Sequence, residues 1–298
     1  MNRRLFFIAA AAFAAMLGAS ANVQAAEPMK VSASFSILGD MLKQVGGDRV
    51  EVFIFVGPNG DAHVYEPTPA DAKELSESKI LFINGLGLEG WMTRLEKSSG
   101  FKGTVVTATK GITPRKMVED EKTVTDPHAW QDLANGKIYV ADVRDALIAT
   151  DPAGKATYET NAQKFLDGIA QMETTVKAAI AKLPLERRKI ITTHDAFGYF
   201  GAAYGIAFIA PEGVSTESEA SAKEVAKIIT QIKKERIPAV FLENVTDSRL
   251  LAQISKETGA KIGGTLYSDA LSPPDGPAGT YLDMFRNNIE TMSAALSS

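Results

Sequence analysis

From Lys30 onward, apolar runs alternate with amphipathic stretches. Val31 to Phe35 reads as a strand and Ile37 to Val45 as a helix, stopped by Gly46-Gly47. Val50 to Val56 is the next strand, ended by the turn Gly57-Pro58-Asn59-Gly60. Lys79 to Ile83 and Thr104 to Thr107 continue the series, with a helix over Leu88 to Lys97 between them. Near-continuous apolar strands separated by helices indicate a parallel sheet buried on both faces. The charged run Lys116 to Lys122 predicts a solvated loop.

The middle of the chain changes period. Asp151-Pro152 predicts a helix start, with aspartate as the cap and proline in the first turn. Tyr158, Ala162, Phe165, Ile169, Met172, Val176, Ala179 and Leu183 then recur at steps of three and four until Pro184. This predicts one helix of about 30 residues, roughly 45 Å long. Its length, and its freedom from glycine apart from Gly168, suit a rigid connector. A coiled coil is disfavoured because no second such segment exists. Alternation then resumes, with strands at Lys189 to Thr193, Ala239 to Glu243 and Ile262 to Tyr267. Helices follow at Ala220 to Lys234, Arg249 to Thr258 and Tyr281 to Leu296. The pattern therefore predicts an α/β protein of two parallel-sheet lobes, 26–151 and 185–298, joined by a connector helix over 152–184.

The N-terminus sets the compartment. Arg3 and Arg4 precede the apolar run Leu5 to Leu17, and Val23-Gln24-Ala25 supplies small residues after it. These predict a signal peptide over 1–25, cleaved after Ala25. The apolar run is short for a membrane span. The arginine pair lacks most of a twin-arginine pattern, which favours ordinary secretion. There is no cysteine, so thiolate metal sites are excluded and the usual lipid attachment point is missing. A mature protein free in a bacterial periplasm is expected. Losing 1–25 removes two Arg and no acid, so 32 basic and 36 acidic residues become 30 and 36, a net charge of −6. That disfavours nucleic acid as a partner, because no basic patch is available for phosphates.

The chain has three histidines, His63, His128 and His194, each in a short polar segment next to a strand-like run. Neutral imidazole is the commonest metal ligand. His194 follows a strand of the second lobe, where open α/β sheets place ligand sites, and Asp269 follows another strand in the equivalent place. Three imidazoles and one carboxylate, two ligands from each lobe, would hold a divalent first-row metal in the interlobe cleft. Glu66, Asp126 and Asp195 adjoin these ligands and are candidates to anchor imidazole N–H groups, as is Glu243 at a further strand end. Trp130, Tyr65 and Phe197 are expected to pack around the cleft, and the scattered methionines to fill the core.

The segments GDAHVYEPTP, NGLGLEGW, DPHAW, THDAFGYFGAAYGI, STESEASAKEV and SDALS resemble the zinc/manganese substrate-binding proteins of bacterial ABC transporters, the cluster 9 solute-binding family. The resemblance runs in order from about Lys30 to the C-terminus. It implies two α/β lobes bridged by one rigid helix, and one Zn2+ or Mn2+ ion per chain held by His63, His128, His194 and Asp269. It also implies a periplasmic carrier that delivers the ion to a membrane permease with its cytoplasmic ATPase. A monomer is expected, and a metallochaperone is a further candidate partner. The third ligand position is His or Glu in this family, and here it is His194. Many zinc members carry a histidine-rich loop where this chain has Gly111 to Thr125, which contains no histidine.

Ligand chemistry favours zinc, since three nitrogens and one carboxylate suit it and the Irving–Williams order places it above manganese. Affinity is expected to fall as pH drops through about 6.5, the reference histidine pKa. The competing class is a secreted zinc-dependent hydrolase using the same histidines, with Glu243 or Asp195 as base. No H-E-x-x-H helix is present, and Asp269 would close the position a water needs.

Overall fold

The computed structural model describes residues 27–119 and 122–297, and the expected signal peptide lies outside the described residues. The first lobe is a parallel sheet of β1 (Met29–Phe35), β2 (Val50–Val56), β3 (Ile80–Ile83) and β4 (Thr104–Thr107), in the order β2-β1-β3-β4. β1 is central and its residues from Val31 to Phe35 are buried on both faces, as its apolar run requires. It pairs in register with β2 from Met29↔Val50 to Phe35↔Val56. Helices α1 (Ser36–Gly46), α2 (Pro69–Glu77) and α3 (Met92–Ser99) accompany the sheet. α2 adds to the predicted elements, and it starts on a capping box between Thr68 and Asp71 with proline in the first turn.

Two segments depart from expectation. Lys116–Glu119 and Lys122–Thr125 form an antiparallel pair, β5 and β6, in place of a solvated loop. Alternating polar and apolar residues let Met117 pair with Val124 across the hairpin. A further helix, α4 (Leu133–Thr150), follows, capped by Asp132, whose carboxylate accepts the Ala134 amide. It packs alongside the connector, so the connector is not alone.

The connector is α5 (Lys155–Ala181), 27 residues long, preceded by a 3-10 turn over Pro152–Gly154. Asp151 does not cap it. Its Oδ2 accepts Arg49 Nη2 at 2.7 Å and Tyr158 Oη at 2.7 Å, and Gly154 takes the cap position. Tyr158, Ala162, Phe165, Ile169, Met172, Val176 and Ile180 form the buried stripe of α5. α5 packs against α1 and α4 and also against α9 (Tyr281–Leu296) of the second lobe.

The second sheet comprises β7 (Lys189–Ile191), β8 (Ala207–Ile209), β9 (Ala239–Glu243) and β10 (Lys261–Leu266), in the order β10-β9-β7-β8 and again parallel. α6 (Gly198–Tyr204), α7 (Ala222–Glu235) and α8 (Arg249–Thr258) connect its strands. The β9–β10 register shifts between Ile262 and Thr265, where Gly264 adopts φ 135°, a value suited to glycine. A large apolar core runs without interruption from the first lobe through α5 to Phe197, Phe200, Leu266 and Met284 of the second. A smaller core of Ile191, Ile228, Ile232, Val240, Leu251 and Ile254 lies under α7 and α8.

Candidate metal centre

The four predicted ligands arrive from four loops. His63 follows β2, and its amide donates to Asp61 Oδ1 at 2.9 Å. His128 follows β6. Asp126 Oδ1 accepts its amide at 3.0 Å and lies 2.9 Å from its Nδ1, which fixes both backbone and ring. His194 follows β7 at the point where the chain leaves for β8 on one side and β9 on the other, the crevice that open α/β sheets use for ligands. β7 ends two residues earlier than its apolar run suggests, because the amides of Thr193 and His194 turn to Glu243 Oε1 at 2.8 and 3.0 Å. Asp269 follows β10, and the first lobe holds its neighbour. Trp130 Nε1 and Gln131 Nε2 donate to the Ser268 carbonyl at 2.9 and 2.7 Å.

One donor atom from each of His63, His128, His194 and Asp269 lies within 4.8 Å of the others. His63 Nε2 is 3.3 Å from His128 Nε2 and 3.2 Å from Asp269 Oδ2. His194 Nε2 is 3.1 Å from Asp269 Oδ2, and His128 Nε2 is 3.6 Å from Asp269 Oδ1. A tetrahedron with metal–ligand bonds of about 2.0–2.1 Å has edges of about 3.3–3.4 Å. The pairs named here thus stand near the spacing a single ion requires, and all four donors lie within 4.8 Å of one another. Three of these residues are fully buried and His63 is 6% exposed. Among the described residues Asp269 Oδ1 has no hydrogen-bond partner, a costly state for a buried carboxylate oxygen that a bound cation would relieve.

The electrostatics point the same way. Burial opposes the charged form of His128, but Asp269 and Asp126 override it and raise its pKa to about 9. Burial likewise opposes charge on His194, and Glu243 with Asp269 raises it well above the ordinary value. Burial would push Asp269 up, yet His194 and His128 hold it well below the usual carboxylate range. Asp269 is thus favoured in its ionised form, and His128 and His194 hold their protons to higher pH than ordinary histidines. A divalent cation must displace those protons to bind.

The four candidate anchoring residues divide evenly. Asp126 touches His128 as described, and Glu243 Oε2 lies 2.7 Å from His194 Nδ1, an ion-pair contact too bent to count as a linear hydrogen bond. Glu66 is exposed on the surface beside Thr68 and Arg94 and meets no imidazole. Asp195 lines a cavity with Pro211 and Glu212, and its amide donates to the Gly213 carbonyl. Adjacent side chains leave the backbone in different directions, so neighbours in sequence do not share a target. Trp130 packs against Phe35 and His128 at centroid distances of 4.9 and 5.3 Å, and Tyr65 against Trp91 at 5.0 Å. Phe197 stacks on Phe208 at 4.9 Å.

One residue was not singled out by the sequence. Asp61 stands two positions before His63, as Asp126 does before His128, and each accepts the histidine amide. The repeated Asp-x-His spacing is the available signal, since aspartate readily accepts from the backbone two residues on.

A family model described as zinc-uptake complex component A, periplasmic (ZnuA), matches residues 31–295. The chain is 33% identical over 272 residues to a manganese-binding lipoprotein, MntA, of Halalkalibacterium halodurans, covering 91% of this chain and 89% of the relative. It is 32% identical over 270 residues to the iron-binding protein YfeA of Yersinia pestis, covering 90% and 86%. Among solved structures it is similar to the periplasmic zinc-binding protein TroA of Treponema pallidum, with TM-score 0.85 and 29% identity. That match covers 90% of this chain and 99% of the other.

Proposed function

This chain belongs to the periplasmic zinc-uptake complex component A family, and on that premise we propose that it captures one Zn(II) ion through His63, His128, His194 and Asp269. It is a metal-binding component of an ABC importer, not an enzyme, and works with a membrane permease and its ATPase. The observation that carries the ligand set is the spacing of four buried donors, 3.1 to 3.6 Å for the pairs named above. Relatives are named for manganese, iron and zinc, so the donor chemistry must decide the ion. Three imidazoles and one carboxylate favour zinc over manganese.

The protein acts in the periplasm, after removal of residues 1–25, as a monomer. It carries no lipid there, because no cysteine is present to bear one. No helix among the described residues is long and apolar enough to cross a membrane. The hydrolase reading has less support, since a buried Asp269 as fourth donor would leave no open position for a water.

X-ray absorption at the zinc edge, on the chain loaded with one equivalent, tests the ligand set. The expected first coordination sphere has three imidazole nitrogens and carboxylate oxygen at about 2.0–2.1 Å. A sphere of oxygens alone would contradict it.

A further inference from the structure

His63 is the ligand held least directly. Carboxylates lie against Nδ1 of His128 and of His194, whereas among the described residues none lies against Nδ1 of His63. It alone of the four has solvent exposure. Its position depends on its backbone, and there on Asp61. Asp61 uses both oxygens: Oδ1 accepts the His63 amide at 2.9 Å, and Oδ2 accepts the Thr216 hydroxyl at 2.6 Å.

Thr216 belongs to the other lobe, in segment 210–221 between β8 and α7. The base of that segment is fastened to the strand end that carries His194. Glu212 N donates to the Thr193 carbonyl at 3.1 Å, and Asp195 N donates to the Gly213 carbonyl at 2.9 Å. An unbroken run of bonds therefore leads from the His63 amide across the cleft to the neighbours of His194. A second fastening holds the same loop on its far side, through Asn59 N to the Leu271 carbonyl at 2.9 Å and Asn244 Nδ2 to Asn59 Oδ1 at 3.1 Å. The Thr216 bond is the charge-assisted one, a hydroxyl on a carboxylate. Its donor sits on an irregular segment whose next residues, Glu217 to Glu219, are exposed.

We infer that segment 210–221 is a strap across the cleft, and that the Thr216–Asp61 bond sets how long the metal is held. Thr216 is a positioning residue: it touches no ligand atom and acts on His63 through Asp61. With the bond made, the His63 loop is pinned to the second lobe at two points. With it broken, only the Asn59 attachment remains, and the most exposed ligand is the first to leave. The strap rests on the carrier reading above and adds to it a residue that governs release.

The test is stopped-flow release of Zn(II) to excess chelator from the full mature chain, comparing wild type, Thr216→Val and Thr216→Ser. Losing one hydrogen bond to a charged group should speed release about ten- to a hundredfold in Thr216→Val. Stoichiometry should stay at one Zn(II) per chain, with the association rate changed by no more than about twofold, and Thr216→Ser should restore slow release. Equal release from wild type and Thr216→Val, or release from Thr216→Ser as fast as from Thr216→Val, overturns the strap. Hydrogen exchange on the unaltered protein reads the same device without a variant. Protection across 213–221 that rises on Zn(II) loading supports it, and protection that does not change overturns it. A wild-type chain that takes up no Zn(II) would overturn the carrier reading and the strap together, a result distinct from equal release rates.

Discussion

His128 sits between two carboxylates, and this decides how the centre answers to pH. An ordinary histidine competes for its proton near 6.5, but His128 does so up to about 9. Metal affinity should therefore keep rising with pH through 7 and 8, and not level off at 6.5 as the reference value alone suggests. Competition titrations from pH 5 to 9.5 check this, and affinity already flat between pH 7 and 8 would contradict it. The metal-free fold responds with the opposite sign. A raised pKa at His128 contributes stability that is fully present below 6.5 and lost as pH rises through about 9. The lowered pKa of Asp269 contributes stability present above 3.8 and lost as pH falls through its depressed value. Calorimetry of the metal-free chain should thus show Tm falling between pH 6.5 and 9. Glu243→Gln should weaken Zn(II) binding about ten- to a hundredfold by releasing the His194 ring, with calorimetric titration as the readout. The four residues that converge, His63, His128, His194 and Asp269, were legible in the sequence, because sparse histidines beside apolar strand ends leave few alternatives. Glu66 and Asp195 were misleading because adjacency along the chain does not fix where a side chain points. Thr216 was illegible for a different reason: its partner Asp61 is 155 positions away.

At the scale of elements, the connector does more than separate two lobes. It packs against α1 and α4 and also against α9, and its buried residues join a core that runs into both halves. Ile169, fully buried near its middle, makes the point measurable. Ile169→Ala should cost about 2–5 kcal/mol in chemical denaturation, and a loss under about 0.5 kcal/mol would place the residue outside a shared core. The connector was legible because its apolar period persists for 27 residues. α4 was not, although Tyr139, Val140, Val143 and Leu147 form a stripe. Asn135-Gly136 in its first turns is a turn signal that hides the helix. Gly136 is there for packing, since a Cβ at that position would meet the Tyr281 hydroxyl at 2.6 Å. The β5–β6 hairpin escaped notice because short charged strands look like loop until their partner is known.

Across the whole molecule, one apolar core extends from the first sheet through α5 into the second lobe, and the candidate metal centre lies where loops from both sheets converge. Such a molecule has little freedom for wide hinge motion, so capture and release must act through the loops that carry the ligands. Metal then joins two halves that are already fastened. Zn(II) at a thousandfold its Kd should stabilise the fold by about 4.1 kcal/mol, seen as a Tm several degrees higher than without metal. The measurement that bears most directly on the centre is a titration of metal-stripped mature protein with Zn(II) and Mn(II), alone and in competition. Stoichiometry is read by native mass spectrometry and affinity by calorimetry. One ion per chain, with Zn(II) bound orders of magnitude more tightly than Mn(II), is the expected result. Manganese binding equal to or tighter than zinc would contradict the choice of ion, and failure to bind either would contradict the four-ligand centre itself.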